Sequence, residues 1–326
     1  MKIVIPGGSG QVGTVLARAF SRDGHEVVVL SRGGASPASR PAWRAVHWDA
    51  RSPGSWEEEL EGADAVVNLA GRSVNCRYGP ENRRIIKESR VDSARLVGAA
   101  IGRRREPPRV WLQASTATIY AHRYDAPNDE ATGLLGGDEP GVPDTWNFSI
   151  DVAKNWERAT EEAAARLPRT RLVLLRSAIT MNPDPGSAFD VLLGLVRVGL
   201  GGTNGNGRQF VSWVHEDDFV RAVYWLIEHA ELSGPVNIAA PHPLPNAEFM
   251  RGLRRAWGTR IGLPATDWML EVGAFFLRTE TELILKSRRV IPTRLLESRF
   301  EFCYPEWSEA ASELVQRWEM MCGKAH

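Results

Sequence analysis

The chain of 326 residues has few cysteines, no net charge and no long apolar run. Its three cysteines are widely spaced, odd in number and without metal-type pairing: Cys76, Cys303 and Cys322. This pattern suits a reducing cytoplasm and gives no sign of a metal site. The 40 basic and 40 acidic side chains balance, which argues against a surface committed to nucleic acid or to an anionic membrane.

Segments for export or for membrane insertion are also missing. Residues 1–6 hold too few apolar side chains for a secretory signal. The longest apolar stretch near the C-terminus, Trp268–Leu277, contains Glu271 and is far too short to cross a bilayer. We therefore expect a cytoplasmic protein. The apolar fraction of 43% and the charged fraction of 25% exclude wholesale disorder.

The chain does contain an alternation of short apolar runs and amphipathic stretches, which is typical of βαβ units and a parallel sheet. The predicted strands are Lys2–Ile5, Glu26–Ser31, Arg44–His47, Ala65–Leu69, Val110–Ala114, Arg171–Arg176 and, much later, Pro235–Ile238. The predicted helices are Val12–Arg22, Glu81–Gly102, Val152–Leu167, Asn246–Trp257, Thr266–Leu277 and Ser308–Met321. Between them, His122–Asn147 reads as a long loop, and a loop of that length is usually functional or mobile.

These elements predict an α/β fold with a doubly wound parallel sheet, followed by a smaller and mostly helical part. We place the first domain at residues 1–182, with the strand near 235–239 returning to its sheet. The second domain takes residues 183–326.

The strongest local signal is the glycine pattern of residues 7–13, GGSGQVG, which follows the first strand and opens a helix. In this context the pattern indicates dinucleotide binding. Gly7 allows a tight turn, Gly10 lets the backbone approach a pyrophosphate, and Gly13 lets helix and strand pack closely. A glycine-rich turn without a ligand is the alternative, but the order of strand, motif and helix favours a cofactor. The other contacts predicted in this loop are Ser9, Gln11 and Val12.

The end of the second strand distinguishes the two nicotinamide dinucleotides. An NAD site usually places an acid there for the ribose 2′-hydroxyl, whereas an NADP site places a cation for the 2′-phosphate. Here Ser31 and Arg32 end the strand, no acid is near, and Arg40 follows. The guanidinium of Arg32 suits a phosphate monoester. The sequence therefore favours NADP(H) over NAD(H).

Two further segments fit the same cofactor. Asp49, just after the third strand, is placed to accept a hydrogen bond from the adenine amino group. The fourth strand ends where the chain should pass the second ribose and phosphate, at Leu69, Ala70 and Gly71. Each signal is common turn chemistry by itself, and the order of the signals along the chain strengthens them together.

A family resemblance extends over essentially the whole chain. It rests on Asp64–Gly71, Arg77-Tyr78, Lys87–Arg90, Trp156-Glu157, Gly199–Gly202 with Gly205–Gln209, Ser212–Asp218, Arg289–Pro292 and Phe300–Phe302. On these residues the chain resembles the extended short-chain dehydrogenase/reductase superfamily, and within it an atypical, epimerase-like subgroup with a short helical C-terminal domain. Two positions depart from the subgroup: Arg299 replaces a typical Gly, and Tyr78 a typical Trp.

The resemblance implies a Rossmann sheet, a nicotinamide cofactor and a catalytic Ser/Thr, Tyr and Lys. Ser115 and Thr116 match the Ser/Thr position that holds a substrate oxygen. Lys154 matches the lysine that binds the nicotinamide ribose and lowers the pKa of its partner. The tyrosine should stand four residues before that lysine, but the residue there is Ile150. The usual general acid is therefore absent.

Tyr120 is the first candidate to replace it, because it follows Ser115 by five residues in a segment that often lines the substrate cleft. A phenol there could act as acid or base if Lys154 lowered its pKa. An aromatic side chain that only packs the cleft wall is an equal alternative. The weaker candidates are His122, Tyr124 and Asp151.

A glycine-rich stretch, Gly199–Asp218, is expected on the substrate side. It supplies Arg208, Trp213 and His215, which are a cation, an aromatic plate and a titratable ring. Core packing of Trp213 and His215 is the alternative. The chain has 12 tryptophans and only 5 tyrosines, and most of the tryptophans fall on predicted helices, where packing explains them.

We therefore predict an NADP(H)-dependent reductase, dehydrogenase or epimerase-like enzyme that acts on a polar carbonyl or hydroxyl compound, with a nucleotide sugar as one candidate. The rival hypothesis is a cofactor-binding regulatory or scaffold protein that lost turnover together with its tyrosine. The superfamily resemblance further implies a homodimer packed through the helices Glu81–Gly102 and Val152–Leu167.

Overall fold

The fold is seen in a computed structural model that describes residues 1–33, 42–137, 139, 141–265 and 282–323. The predicted helix Thr266–Leu277, Trp268 and Arg40 lie outside these described residues. A seven-stranded parallel sheet forms the centre. Its strands are β1 Lys2–Pro6, β2 Glu26–Ser31, β3 Arg44–His47, β4 Ala65–Asn68, β5 Val110–Thr116, β6 Arg171–Ser177 and β10 Gly234–Ile238. They lie side by side in the order β10-β6-β5-β4-β1-β2-β3. The predicted doubly wound α/β fold is confirmed.

Helices cover both faces of this sheet and form the C-terminal part. They are α1 Gln11–Arg22, α2 Pro80–Gly102, α3 Asp144–Ala164, α4 Ala188–Arg197, α5 Glu216–Glu228, α6 Asn246–Ala256, α7 Glu282–Leu285, α8 Thr293–Glu297 and α9 Trp307–Met321. Helix α3 begins eight residues before the predicted start, so the predicted loop ends at Pro143. A helix after Asp217 and Asp218 was expected and is α5, whereas α4 was not predicted.

Each central strand is buried on both faces, because alternate side chains enter two separate cores. In β1, Ile3 and Ile5 join the cluster that packs under α1 and α5, and Val4 joins the cluster under α2 and α3. A parallel sheet covered by helices in this way needs continuous apolar runs, which the sequence supplies. Helices α2 and α3 lie together on one face, and the dimer through them stays a prediction.

The C-terminal part has its own core, built from α4, α6 and α9 around Trp213 and Trp307. It is less purely helical than predicted. Short strands are interleaved: β7 Ile179–Met181 with β9 Trp213–His215, and β8 Phe210–Val211 with β11 Leu244–Pro245. Most tryptophans in the described part of the chain are buried, which agrees with their expected role in packing.

Helix α5 belongs to the sheet core rather than to this C-terminal core, since Phe219 and Val223 pack under the sheet. Arg299 follows α8 with φ at +66°, the left-handed conformation in which glycine is usual. Within the described ranges, no helix is both long and apolar enough to cross a membrane.

Candidate active site

The glycine loop between β1 and α1 is packed so tightly that side chains would not fit. Gly7 has φ at +76°, and a Cβ there would lie 2.7 Å from the backbone of Ala70. A Cβ at Gly13 would lie 2.5 Å from Gly8 Cα. At Gly7, only glycine satisfies both the backbone angle and the contact distance. At Gly13, the contact distance alone requires it. The loop is thereby held against the chain that leaves β4.

The N-terminus of α1 is open and carries no negative charge. Gly10 is the N-cap, no side chain caps the helix, and the first turn contains no acidic residue. A Cβ at Gly10 would meet only Gly7 O, at 3.5 Å. Ser9 and Gln11 are exposed beside it. Free N–H groups on an uncapped helix end suit a pyrophosphate, so these residues fit the diphosphate of a dinucleotide.

The side chains proposed for the adenosine half lie at the edge of this loop. Ser31 is buried and donates to Gly33 O, whereas Arg32 is exposed. One oxygen of Asp49 accepts hydrogen bonds from the backbone N–H groups of Arg51 and Ser52, which lowers the pKa of its carboxyl. Arg32 thus fits a 2′-phosphate, while one Asp49 oxygen stabilises a turn.

A cavity of about 370 Å³ lies at the carboxyl ends of β5 and β6, next to the glycine loop. Parallel α/β sheets bind ligands at these ends. Four predicted site residues line it: Val12, Leu69, Ser115 and Thr116. Helix α3 contributes its other wall through Phe148, Ser149, Val152, Ala153 and Trp156.

The hydroxyl of Ser115 is already engaged, because it donates a 2.5 Å hydrogen bond to Glu157 Oε1. Glu157 is held by a buried, two-pronged ion pair with Arg176. Thr116 Oγ1 accepts from Thr118 N at 3.1 Å and keeps its own proton for another partner. Of these two residues, Thr116 is the one able to donate to a substrate oxygen.

Tyr120, the first candidate for the missing acid, lies in the same buried network and not at the cavity. Its hydroxyl donates to Asn237 Oδ1 at 2.9 Å and accepts from Arg176 Nη1 at 3.0 Å. Burial raises the pKa of this phenol despite the nearby guanidinium. The side chain of Tyr120 is 2% exposed and absent from the cavity wall, which favours the packing alternative for this residue.

The face of α3 that bears Ile150 and Lys154 is covered by the preceding loop. A Cβ at Gly136 would lie 2.7 Å from Ile150 Cδ1, and one at Gly137 would lie 3.3 Å from Lys154 Nζ. Ile150 is 1% exposed, so an apolar residue replaces the tyrosine where the helix packs against this loop. Neither residue lines the cavity, and the ribose contact of Lys154 stays a prediction.

The three residues predicted to contact substrate do not line the cavity either. Trp213 is fully buried and packs edge-on against Trp307, with ring centroids 5.0 Å apart. His215 is fully buried as the N-cap of α5, where Nδ1 accepts from Asp217 N at 3.1 Å. Arg208 is exposed above the ring of Tyr124. Core packing, the alternative for Trp213 and His215, explains both.

Acidic groups also surround His215. Its Nε2 lies 2.9 Å from Glu313, and Asp217 completes a set that could ligate a cation. The guanidinium of Arg317 already bridges Asp217 and Glu313. A protein cation therefore already occupies the carboxylates of this cluster, which joins α5 to α9.

The polar residues that do line the cavity were not assigned roles from the sequence. They are Tyr78, Arg90, Thr118, Ser149, Ser177, Thr180, Glu282 and Arg288. The Ser149 hydroxyl donates to Glu282 Oε2, and Tyr78 is hydrogen-bonded to Ser149. Burial is the main cause that raises the pKa of Tyr78 to about 12. Tyr78 and Arg90 stand in the segments that carried the family resemblance, which was the one available signal.

Arg288 anchors this wall from the C-terminal side. Its Nε donates to Thr118 Oγ1 at 3.1 Å, and its Nη2 lies 3.6 Å from Glu282 Oε1. Glu282 and Arg288 are both less than 9% exposed. The walls of the cavity are thus formed by residues far apart in the sequence.

Comparisons with known proteins agree with this architecture. The model of the NAD dependent epimerase/dehydratase family matches residues 3–139, and a domain of unknown function (DUF1731) matches residues 265–314. The chain is similar to the human epimerase family protein SDR39U1, at 31% identity over 320 residues that cover 97% of this chain and 100% of that protein.

Two solved structures are similar over nearly the whole chain. The crystal structure of human SDR39U1 isoform 2 with NADPH has a TM-score of 0.81 at 29% identity and covers 97% of this chain and 99% of that one. A nucleoside-diphosphate sugar epimerase from Corynebacterium glutamicum has a TM-score of 0.73 at 26% identity, over 99% of this chain and 62% of that one. The family and the NADPH of the human structure agree with the predicted nicotinamide cofactor.

Proposed function

Because the chain belongs to the NAD dependent epimerase/dehydratase family, we propose that it is an NADP(H)-dependent reductase, dehydrogenase or epimerase-like enzyme. Its substrate is a polar carbonyl or hydroxyl compound, and a nucleotide sugar is one candidate. The observation that carries the proposal is the cavity beside the glycine loop. Both the Thr116 hydroxyl, whose proton is available, and the hydrogen-bonded phenol of Tyr78 line this cavity.

The cofactor would be held by residues that fit it on physical grounds. The uncapped end of α1 and the glycines of residues 7–13 would take the pyrophosphate, and Arg32 the 2′-phosphate. Leu69 and Val12 line the cavity next to this loop and would pack against the nicotinamide end. The nicotinamide would supply or accept the hydride at the substrate carbon.

The protein itself must then move one proton, and Tyr78, Ser149 and Glu282 provide the path. Ser149 donates to Glu282, and Tyr78 is hydrogen-bonded to Ser149. In the proposal, the Tyr78 hydroxyl donates to the Ser149 oxygen when the proton moves. When a substrate hydroxyl is oxidised, its proton passes to the Tyr78 oxygen. The Tyr78 proton passes to Ser149, and the Ser149 proton passes to the Glu282 carboxylate. Carbonyl reduction runs the same transfers in reverse.

Thr116 orients the reacting oxygen in this proposal. Its proton remains available, while that of Ser115 is donated to Glu157. Ser115 can therefore act towards a ligand only as an acceptor. Its network with Arg176 and Tyr120 fixes the end of β5, and this keeps Thr116 in place.

A regulatory or scaffold protein is the second candidate, and Ile150 is the observation that favours it. The residue is buried, apolar and covered by Gly136. A protein of this kind would bind the dinucleotide and never oxidise or reduce it. The phenol of Tyr78 at the cavity favours the enzyme.

The test separates binding from turnover. Purified protein is analysed for co-purifying NADP(H), and the nicotinamide absorbance is then followed against a panel of sugars, nucleotide sugars, aldehydes and ketones. We expect bound NADP(H) and an absorbance change with at least one compound. Tight binding without any change would support the regulatory protein, and absence of dinucleotide binding would overturn both proposals.

A further inference from the structure

An aliphatic surface lies beside the C-terminal core and outside the cavity. Six side chains form it, each between 37% and 69% exposed: Val191, Leu195, Val198, Leu200, Ile261 and Leu263. Single exposed aliphatic side chains are common and need no explanation, whereas a continuous exposed patch marks a surface that binds something. These six are not scattered, because two segments of the chain bring them together. None of them lines the cavity.

The first segment is α4 with the turn that follows it. Val191, Leu195 and Val198 follow one another at intervals of four and three residues, which places them along one face of the helix. The N–H of Leu200 donates to Leu195 O at 2.9 Å, so the turn folds back towards the last turn of α4. The opposite face of α4 packs into the C-terminal core.

The second segment, residues 259–263, lies against that turn. The N–H of Leu263 donates to Gly199 O at 2.8 Å, and a Cβ at Gly199 would lie 3.7 Å from Ile261 Cγ2. Ile261 and Leu263 therefore continue the aliphatic surface that begins on α4. The surface is built from two parts of the chain that are about as far apart in sequence as a helix and a strand pair, yet are hydrogen-bonded to each other.

Arginines flank the aliphatic surface and have no acidic partner. They are Arg197, Arg251, Arg254, Arg255 and Arg260. Among the described residues, no carboxylate lies within 4.0 Å of any of these guanidinium groups. Residues 188–200 and 246–263, which carry both the aliphatic side chains and the arginines, contain only two acidic side chains, Asp190 and Glu248. The surface thus has a local excess of positive charge.

Arg254 shows how closely this charge approaches the aliphatic side chains. Its Nη1 donates to Gly201 O at 2.6 Å, and a Cβ at Gly262 would lie 2.6 Å from its Cδ. The side chain therefore lies between the two segments that form the surface. Burial and the nearby charge of Arg251 both lower the pKa of Arg254, so the neighbouring charge adds to the excess instead of compensating it.

These charges decide between the possible occupants of the surface. In a two-fold symmetric contact between copies of this chain, the same surface would pair with itself, and arginines would meet arginines. The energetic centres of protein interfaces are enriched in Trp and Tyr, whereas Leu and Val are under-represented there. A bilayer with anionic lipids supplies acyl chains for the aliphatic groups and phosphates for the guanidinium groups. The observations favour the bilayer.

We propose that the aliphatic surface docks the protein reversibly on a bilayer that contains anionic lipids. The aliphatic side chains enter the boundary between headgroups and acyl chains, and the arginines bind lipid phosphates. The balance of 40 basic and 40 acidic side chains argued against a membrane surface, but a count over the whole chain averages out a local excess. The inference is independent of the proposed function and requires no cofactor.

The test is co-sedimentation of the full chain with two kinds of vesicle. One is phosphatidylcholine alone, and the other contains equal parts of phosphatidylcholine and phosphatidylserine. We expect the protein to bind the mixed vesicles at least about 10-fold more tightly, because several arginines lie at the anionic surface. Raising the salt concentration should weaken this binding, a measurement that needs no variant.

Substitutions then locate the binding surface. Val198→Asp and Ile261→Asp place a charge on side chains that are 69% and 68% exposed, and each should weaken binding to the mixed vesicles by at least about 10-fold. Arg255→Glu should weaken it by about 10- to 30-fold. The matched controls are Leu296→Asp on α8 and Arg95→Glu on α2. They make the same changes at exposed positions elsewhere and should bind as the wild type does.

Three results would overturn the inference: equal binding to both vesicles, binding to neither, and controls that lose as much binding as the variants of the aliphatic surface. A dimer in solution that Ile261→Asp dissociates would assign the surface to a second copy of the chain and overturn it as well. Circular dichroism identifies a variant that does not fold, and the two vesicle compositions with the salt series then still decide.

Discussion

The hydroxyl of Ser149 on α3 donates a hydrogen bond to the carboxylate of Glu282, which follows it by 133 residues in the chain. This bond joins the helix that normally carries the catalytic tyrosine to the C-terminal region. The phenol of Tyr78 is hydrogen-bonded to the same serine, while Ile150 occupies the position of the usual tyrosine. In the proposed function, the proton path runs through these residues of the cavity instead of the usual tyrosine.

The two buried tyrosines should respond differently to loss of their hydroxyls. Tyr78→Phe should lower the turnover rate by about 10²- to 10⁴-fold, as for removal of a general acid or base, and leave NADPH affinity intact. Tyr120→Phe should lower the free energy of unfolding by about 1–3 kcal/mol, because Arg176 and Asn237 lose a partner, with little effect on turnover. Kinetics and denaturant titration of both variants measure this. The reverse result would restore Tyr120 to the reaction.

Arg32→Asp should weaken NADPH binding by about 10- to 100-fold, because it replaces a phosphate-binding cation with an anion. NADH binding should change much less, since NADH has no 2′-phosphate. Fluorescence titration with both dinucleotides measures the ratio. The matched control, Arg22→Asp, makes the same charge change on an exposed residue at the far end of α1. Unchanged NADPH affinity in Arg32→Asp would refute the choice of NADP.

Glu216 should make stability depend on pH. Burial raises the pKa of its carboxyl to about 7, although Arg317 acts in the opposite direction and Asp217 adds to the rise. The folded state therefore keeps a proton that the unfolded state releases near pH 4.5. The stabilisation is complete below pH 4.5 and is lost as the pH rises through 7.

The side chain in Glu216→Gln cannot ionise, so this variant does not lose the stabilisation as the pH rises. Between pH 4.5 and 7, the free energy of unfolding of the variant should therefore rise relative to that of the wild type, by up to about 3 kcal/mol. Urea titrations at a series of pH values test this. Glu228→Gln, at the exposed end of the same helix, is the control for loss of a carboxylate. Parallel curves for the wild type and Glu216→Gln would contradict the prediction.

Two glycine substitutions should have opposite effects. Gly13→Ala would place a Cβ 2.5 Å from Gly8 Cα, and we expect a loss of about 1–3 kcal/mol in stability together with weaker NADPH binding. Gly194→Ala lies within α4, where a Cβ would meet nothing within 4 Å. It should stabilise the protein by roughly 1 kcal/mol through helix propensity. Thermal unfolding with and without NADPH measures both, and a neutral Gly13→Ala would show that the loop can shift.

The sequence was sufficient for features that depend on neighbouring residues. The strands β2 and β3 have the predicted limits, and the glycine loop lies between strand and helix as its spacing indicates. The start of α3 was wrong by eight residues because Trp146 and Ile150, both buried, belong to the apolar face of the helix. The residues before Trp146 are rich in Gly, Pro and Asp, so the sequence there predicted a loop and not the start of a helix.

The cavity could not be predicted because its walls meet only in three dimensions. Glu282 and Arg288 reach Ser149 and Thr118 across more than 130 residues, and no local pattern records such a contact. The role of His215 depends instead on a local contact, because its ring accepts a hydrogen bond from the backbone of Asp217 at the start of α5. A sequence does not distinguish such a buried helix cap from a reactive histidine. Ile150 is explained only by the glycines that cover it.

The distant wall of the cavity has a consequence for synthesis of the protein. The glycine loop, β1 and β2 leave the ribosome first, whereas Glu282 and Arg288 are added near the end of translation. A nascent chain that already contains the glycine loop therefore lacks this wall of the cavity. The cavity takes its complete form only after the C-terminal region has been made, and not while the glycine loop alone is folded.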